Sequence, residues 1–177
     1  MKSSLILFAS ALLLAAGGAL AQGTPAAGPT DAQIAHIVVT ANQVDIDAGK
    51  LAESKGKSKD VKAFGKQMVT DHTGVNKQAT ALVTKLKVKP EDNPTSESLK
   101  AGGAENVKKL QGLSGAAFDK AYVDHEVAYH QQVLDAIDQT LVPNAKNDEL
   151  KALIVKVRPA FVAHLEHAKH IQSSLKM

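Results

Sequence analysis

The sequence predicts an all-α protein in which four long helices form a bundle, with one long connection between the second and the third. Three observations predict it. Apolar residues recur at the period of an α-helix over four long stretches, and no alternating strand pattern competes. Residues that start and stop helices fall between those stretches. The chain has no cysteine, so it must be held by one packed core rather than by disulfides.

The chain opens on "MKSSLILFASALLLAAGGALAQ", with a basic start at Lys2 and an apolar run from Leu5 to Ala16. It ends in Ala19-Leu20-Ala21, the small-x-small pattern that signal peptidase reads. Residues 1–21 are therefore expected to be a signal peptide. Residues 22–30, "QGTPAAGPT", are expected to be a disordered tether rich in Pro, Gly and Ala. Residues 31–177 are left as one helical domain.

The first helix is expected from Asp31 to about Lys55, with Ile34, Val38, Ala41, Ala48 and Leu51 on one face, and Gly56 ends it. Ser58 caps a second helix to about Lys87, carrying Val61, Phe64, Met68, Val75, Ala79, Leu82 and Leu86. Residues 88–114 then hold two prolines and the pair Gly102-Gly103, with room for a short helix at about Glu105 to Leu110. Ser114 caps a third helix to about Leu141, closed by Pro143, and Asn147 caps a fourth to about Leu175. Pro159, inside the fourth, removes a hydrogen bond to the carbonyl of Val155 and predicts a kink. A long connection after the second helix can cross the bundle end to end, which is the ferritin-like arrangement.

Each helix carries polar residues where its period places the core. These are Asp45 with Asn42, then His72, then Glu126 and His130 at i,i+4 with Asp119 nearby, and finally His164. Asp71 and His125 lie at the edges of their faces. In "HLEHAKH", residues 164–170, His164 shares the face of Phe161, Leu165 and Ala168. His167 borders that face, and His170 points to water. Buried charges need partners, so Asp45, His72, Glu126, His130 and His164 are expected to meet in one layer. Two readings stand. The layer is a hydrogen-bonded network that fixes helix register, or it is a ligand set, since imidazole and carboxylate suit divalent transition metals.

Composition closes other routes. Without cysteine there is no thiol catalysis or thiolate site. With 21 basic and 18 acidic residues mixed along the chain, no nucleic-acid footprint appears. Aromatic residues make up 3% and Trp is absent, which leaves no stacking platform for bases. No segment after the leader is long and apolar enough to span a bilayer.

"FGKQMVTDHTGVNKQ", "FDKAYVDHEVAYHQ" and "RPAFVAHLEHA", in that order behind a leader, resemble a bacterial family of exported ferritin-like domains of unknown function. The resemblance covers about residues 31 to 175. It implies a ferritin-like four-helix bundle in the bacterial envelope and no established activity. The family's pattern falls on Asp71, His72, Asp119, Tyr122, His130 and His164, with Asp45 where the family usually has Glu. Ferritin-like di-iron enzymes carry Glu-x-x-His on two helices. Here Val69 and Phe161 stand three residues before His72 and His164.

The reading is a periplasmic accessory protein for binding or stress, without catalysis. Its partner lies in the envelope, and its core cluster of Asp45, His72, Glu126, His130 and His164 takes one divalent transition metal. A metal-dependent oxidoreductase is the first alternative. The second is a structural or interaction module whose Lys-rich faces, such as "KLKVK" at 85–89, touch anionic surfaces.

Overall fold

The computed structural model describes residues 28–175. The expected signal peptide and most of the expected tether lie outside the described residues. Among them, all regular structure is helical. Helix α1 runs Asp31–Lys55, α2 Lys59–Leu86, α3 Pro94–Gln111 and α4 Gly115–Ala136. A π-helical turn at Ile137–Leu141 and the short α5, Val142–Asn144, continue α4 before α6, Asp148–Ser174.

The caps explain most of these boundaries. Thr30 accepts from the backbone of Gln33, whose side chain bonds back to Thr30, closing a capping box on α1. Ser58 and Asn147 cap α2 and α6 as the sequence predicts. Helix α6 is helical through Pro159, whose exposed ring faces water.

Three-residue links join α1 to α2 and α5 to α6, so each pair of long helices is antiparallel. Contacts at the ends settle the rest. Asp31 at the start of α1 meets the link before α6, and Lys55 at its end lies over the Phe118 ring near the start of α4. Helices α1 and α4 are thus antiparallel, and so are α2 and α6, where Gln78 bonds Lys156 and Asp71 bonds His164. The four long helices close a ring around two apolar clusters. One is centred on Ile34, Ile154 and Phe161, the other on Phe64, Phe118 and Tyr122.

The connection after α2 differs from expectation. In place of a short helix at Glu105–Leu110, eighteen residues form α3, about 27 Å long. Asn93 caps it and Pro94 opens it, a favoured pairing. The pair Gly102-Gly103 reads as a break, yet Gly103 is where α3 rests on α1. A Cβ there would lie 2.7 Å from Val44 Cγ2. Helix α3 starts beside His36, near the beginning of α1, and ends where Lys55 bonds the carbonyls of Leu110 and Gln111. It therefore carries the chain from one end of the ring to the other. The third helix also overshoots its expected end. Pro143 does not close it. Widening the helix ahead of Pro143 relieves the clash of its ring with the carbonyl four residues back.

Two acids clamp the links from other helices. Asp119, 2% exposed on α4, accepts from the backbone N–H of Lys57 at 2.8 Å and of Ser58 at 2.7 Å. Asp31 does the same for Lys146 and Asn147. Hydrogen bonds to a charged acceptor are worth about 1.5–3 kcal/mol each. Asp119→Ala should therefore lower stability by about 2–4 kcal/mol in urea unfolding, with Asp119→Asn losing less. A loss under about 1 kcal/mol for the alanine variant would remove the clamp from the account.

Candidate metal centre

Five polar side chains meet at mid-height in the ring, all of them buried. Asp45 comes from α1, His72 from α2, Glu126 and His130 from α4, and His164 from α6. They are 1%, 0%, 0%, 0% and 3% exposed, so none reaches bulk water directly. One nitrogen from each of His72, His130 and His164 lies within 4.8 Å of the others. Ligand atoms of Asp45, Glu126 and His130 form a second such group, with His130 common to both.

The outer nitrogens are each held. Asn42 Nδ2 donates to the Val38 carbonyl at 2.7 Å, which turns its oxygen toward His72 Nδ1, also at 2.7 Å. That nitrogen must therefore carry the proton. His130 Nδ1 donates to the Glu126 carbonyl at 3.1 Å, and His164 Nε2 to the half-exposed Asp71 carboxylate at 2.9 Å. The inner nitrogens, His72 Nε2, His130 Nε2 and His164 Nδ1, have no hydrogen-bond partner among the described residues. In the neutral rings each of them presents a lone pair. A cation bound among them would satisfy all three at once, once His130 gives up the proton that Asp45 and Glu126 favour on it. Imidazoles that bind metals characteristically have the far nitrogen fixed by a carbonyl or carboxylate in this way.

Both carboxylates are also without hydrogen-bond partners at their oxygens, although histidine rings stand near. Glu126 Oε2 lies 3.4 Å from His130 Nδ1, and its Oε1 3.9 Å from His125 Nδ1. Asp45 Oδ2 lies 3.4 Å from His72 Nε2. That separation matches the edge of a tetrahedron around an ion with bonds of 2.0–2.1 Å, about 3.3–3.4 Å. Tyr122 is fully buried between Phe64 and Phe118, and its hydroxyl also lacks a partner.

All five residues singled out in the sequence are thus brought together. His170 is exposed on the far side of α6, and His167, also exposed, bonds Gln67. Asp119, part of the family pattern, is not in this layer; it clamps the α1–α2 link. Sequence reasoning missed the orienting roles of Asn42 and Asp71. The available signals were Asn42 one turn from Asp45 in the apolar phase, and Asp71 next to His72.

The family model of the DUF4142 domain of unknown function matches residues 16–171. The chain belongs to the DUF4142 family. No curated protein and no solved structure matches it. The matched span of this DUF4142 domain includes every residue of the buried layer, and among its described residues no helix is long and apolar enough to cross a membrane.

Burial and mutual charge set the protonation of the DUF4142 layer. Burial, with His130 and His164 close by, pushes His72 down to about 3. Burial also lowers His164, against the pull of Asp71. Burial opposes the charged form of His130, but Asp45 and Glu126 outweigh it and raise the ring to about 9. Burial likewise opposes the charge on Glu126, and the His125 and His130 rings, 3.9 and 3.4 Å from its oxygens, overcome it, holding the carboxyl at about 2. Asp45 is raised well above the usual range by burial and by the charge of Glu126.

A pH profile follows for the metal-free domain. Folded His72 refuses the proton that the unfolded chain takes, so stability drops as pH falls from 6.5 toward about 3. Glu126 adds to that loss as pH falls from 4.5 toward about 2, while the raised Asp45 offsets part of it. The His130 contribution is complete below 6.5 and lost as pH rises toward about 9. Thermal melts from about pH 4 to about pH 10 should peak near neutrality and fall on both sides. A flat profile across that range would contradict these assignments.

Beside the layer lies an apolar cavity of about 90 Å3. Phe161 and Asn42 form its inner wall, and its outer end lies at Thr95 and Leu99 of α3 and Gln132 and Ala136 of α4.

Proposed function

We propose that this chain is a periplasmic, ferritin-like four-helix bundle that binds one divalent transition metal in its core, as an accessory protein for metal binding or stress rather than as an enzyme. The observation that carries the metal reading is the cluster of His72, His130 and His164, with one ring nitrogen of each within 4.8 Å of the others and, on each ring, one nitrogen held and the other unpartnered. His72, His130 and His164 are the ligands, a donor set suited to Zn(II) or Cu(II), with the carboxylate of Asp45 beside them 3.4 Å from His72 Nε2. A bound ion would displace the proton on His130 and supply in its place the positive charge that faces the carboxylates of this layer.

The ferritin-like assignment is supported by α3 as an end-to-end crossover between two antiparallel helix pairs. The ligand set differs from that of the di-iron enzymes of that fold, because Val69 and Phe161 occupy the Glu positions of Glu-x-x-His. Periplasmic location rests on the leader-like residues 1–21.

Elemental analysis of untagged protein from its native compartment tests the reading. A transition metal at about one per chain is expected. Protein that carries none, and that Zn(II), Cu(II) and Fe(II) all fail to stabilise, would sink it.

A further inference from the structure

The cavity beside the polar layer is lined almost wholly by aliphatic side chains. Ile37, Val75, Leu153 and Ile154 enclose it, with Phe161 at the inner wall. Protein interiors are ordinarily close-packed, so an unfilled space of about 90 Å3 marks a departure from good packing. A second observation falls at the same place. The π-helical turn Ile137–Leu141 supplies both its terminal residues, Ile137 and Leu141, to the lining. A π turn breaks regular helical hydrogen bonding, and such turns recur at functional sites. The space is also not isolated from the polar layer. The Phe161 ring centroid lies 5.1 Å from that of His72, and Asn42 both lines the cavity and holds His72 Nδ1.

We infer that this cavity is a binding site for a small, uncharged, apolar molecule, entering at the seam between α3 and α4 and seated one side chain away from His72. The apolar lining sets the chemical class. Water gains too few hydrogen bonds in such a space, which stays dry and receives apolar guests. An engineered void of about 150 Å3 accepts benzene or xenon. This smaller one suits a guest of a few heavy atoms. The occupant rests against Phe161 and Asn42, so its presence is transmitted to the ring of His72 by contact. The inference stands on the cavity and the π turn, and holds whether or not the polar layer takes a metal.

The test is methyl NMR of the full metal-free protein under xenon, with formamide as a polar probe of similar size. Xenon should shift the methyl signals of Ile37, Ile137, Leu153 and Ile154 in a saturable way and leave distant methyls, such as those of Val61, in place. Formamide should not. Ala136→Leu and Ala136→Met extend a side chain into the space from its outer end, and each should abolish the xenon response. Absence of saturable shifts at the cavity methyls of the wild type would overturn the proposal. So would an equal response to formamide, or an undiminished xenon response in a folded Ala136 variant. Should both variants fail to fold, the wild-type spectra with the two probes decide alone.

Discussion

Zinc raises the melting temperature of the wild-type protein and of His170→Ala, and leaves that of His164→Ala where it was: this is the expected result of titrating the purified chain. The reason is the position of the two side chains on α6. His164 is 3% exposed, with one ring nitrogen within 4.8 Å of those of His72 and His130, whereas His170 faces water on the same helix. An ion that binds only the folded state stabilises it by about 4 kcal/mol at 1,000 times its dissociation constant. For a domain of this size, at roughly 2–4 °C per kcal/mol, that is a rise on the order of 10 °C. His72→Ala should behave like His164→Ala, because each removes one imidazole from the same group. If His170→Ala abolishes the rise and His164→Ala keeps it, the ion sits on the surface and the buried layer is structural. A wild type indifferent to Zn(II), Cu(II) and Fe(II) alike would end the metal reading.

Glu126→Leu should destabilise the metal-free protein by about 3–5 kcal/mol, more than any other single change in the layer. Glu126 is the one carboxylate there held in its charged form, by His125 and His130. Leucine removes that charge and leaves His130, whose own raised affinity for a proton depends partly on Glu126, as a buried cation facing Asp45 alone. Breaking such a pair from one side is costly because the remaining charge keeps its desolvation penalty. Asp45→Leu should cost less. Asp45 already holds its proton more readily, so it gives up less charge interaction when replaced. Asp47→Leu, on the wet side of α1, should leave stability unchanged. Urea unfolding of the three variants gives the ranking. A Glu126→Leu protein within about 1 kcal/mol of wild type would show that His130 is neutral in the fold.

The helical period was enough to turn the right side chains inward. Asp45 and Asp47 differ by two residues, about 200° on a helix, and the structure buries the first and exposes the second. The same phase argument separates His164 from His170. Period alone cannot give the height at which helices meet, because that depends on link length and on close backbone approaches such as Gly49 against Gly65. A Cβ at Gly65 would fall 2.7 Å from the Gly49 carbonyl oxygen. The contact of Asp71 with His164 follows from that register, not from either helix by itself, so the sequence showed Asp71 only as an edge residue. Helix α3 was hidden for a related reason. Local propensity reads Gly102-Gly103 as a break, and only the packing of Gly103 onto Val44 makes glycine favourable inside a helix there. The π turn has no residue signature of its own; Pro143 signals that something changes nearby, but by local rules it marks an end.

The two clamping acids bear on the order in which the chain comes together. Asp119 completes the turn between α1 and α2 but belongs to α4, and Asp31 completes the turn into α6 but belongs to α1. Neither hairpin owns the groups that satisfy its own reversal. A nascent α1–α2 hairpin leaving the ribosome would have the Lys57 and Ser58 amides bound to water, and would stay soft until residues more than sixty positions later arrived. Such borrowed turns bind the halves into a single cooperative unit. They disfavour a half-folded population in which one hairpin is native and the other is free to exchange with a second molecule.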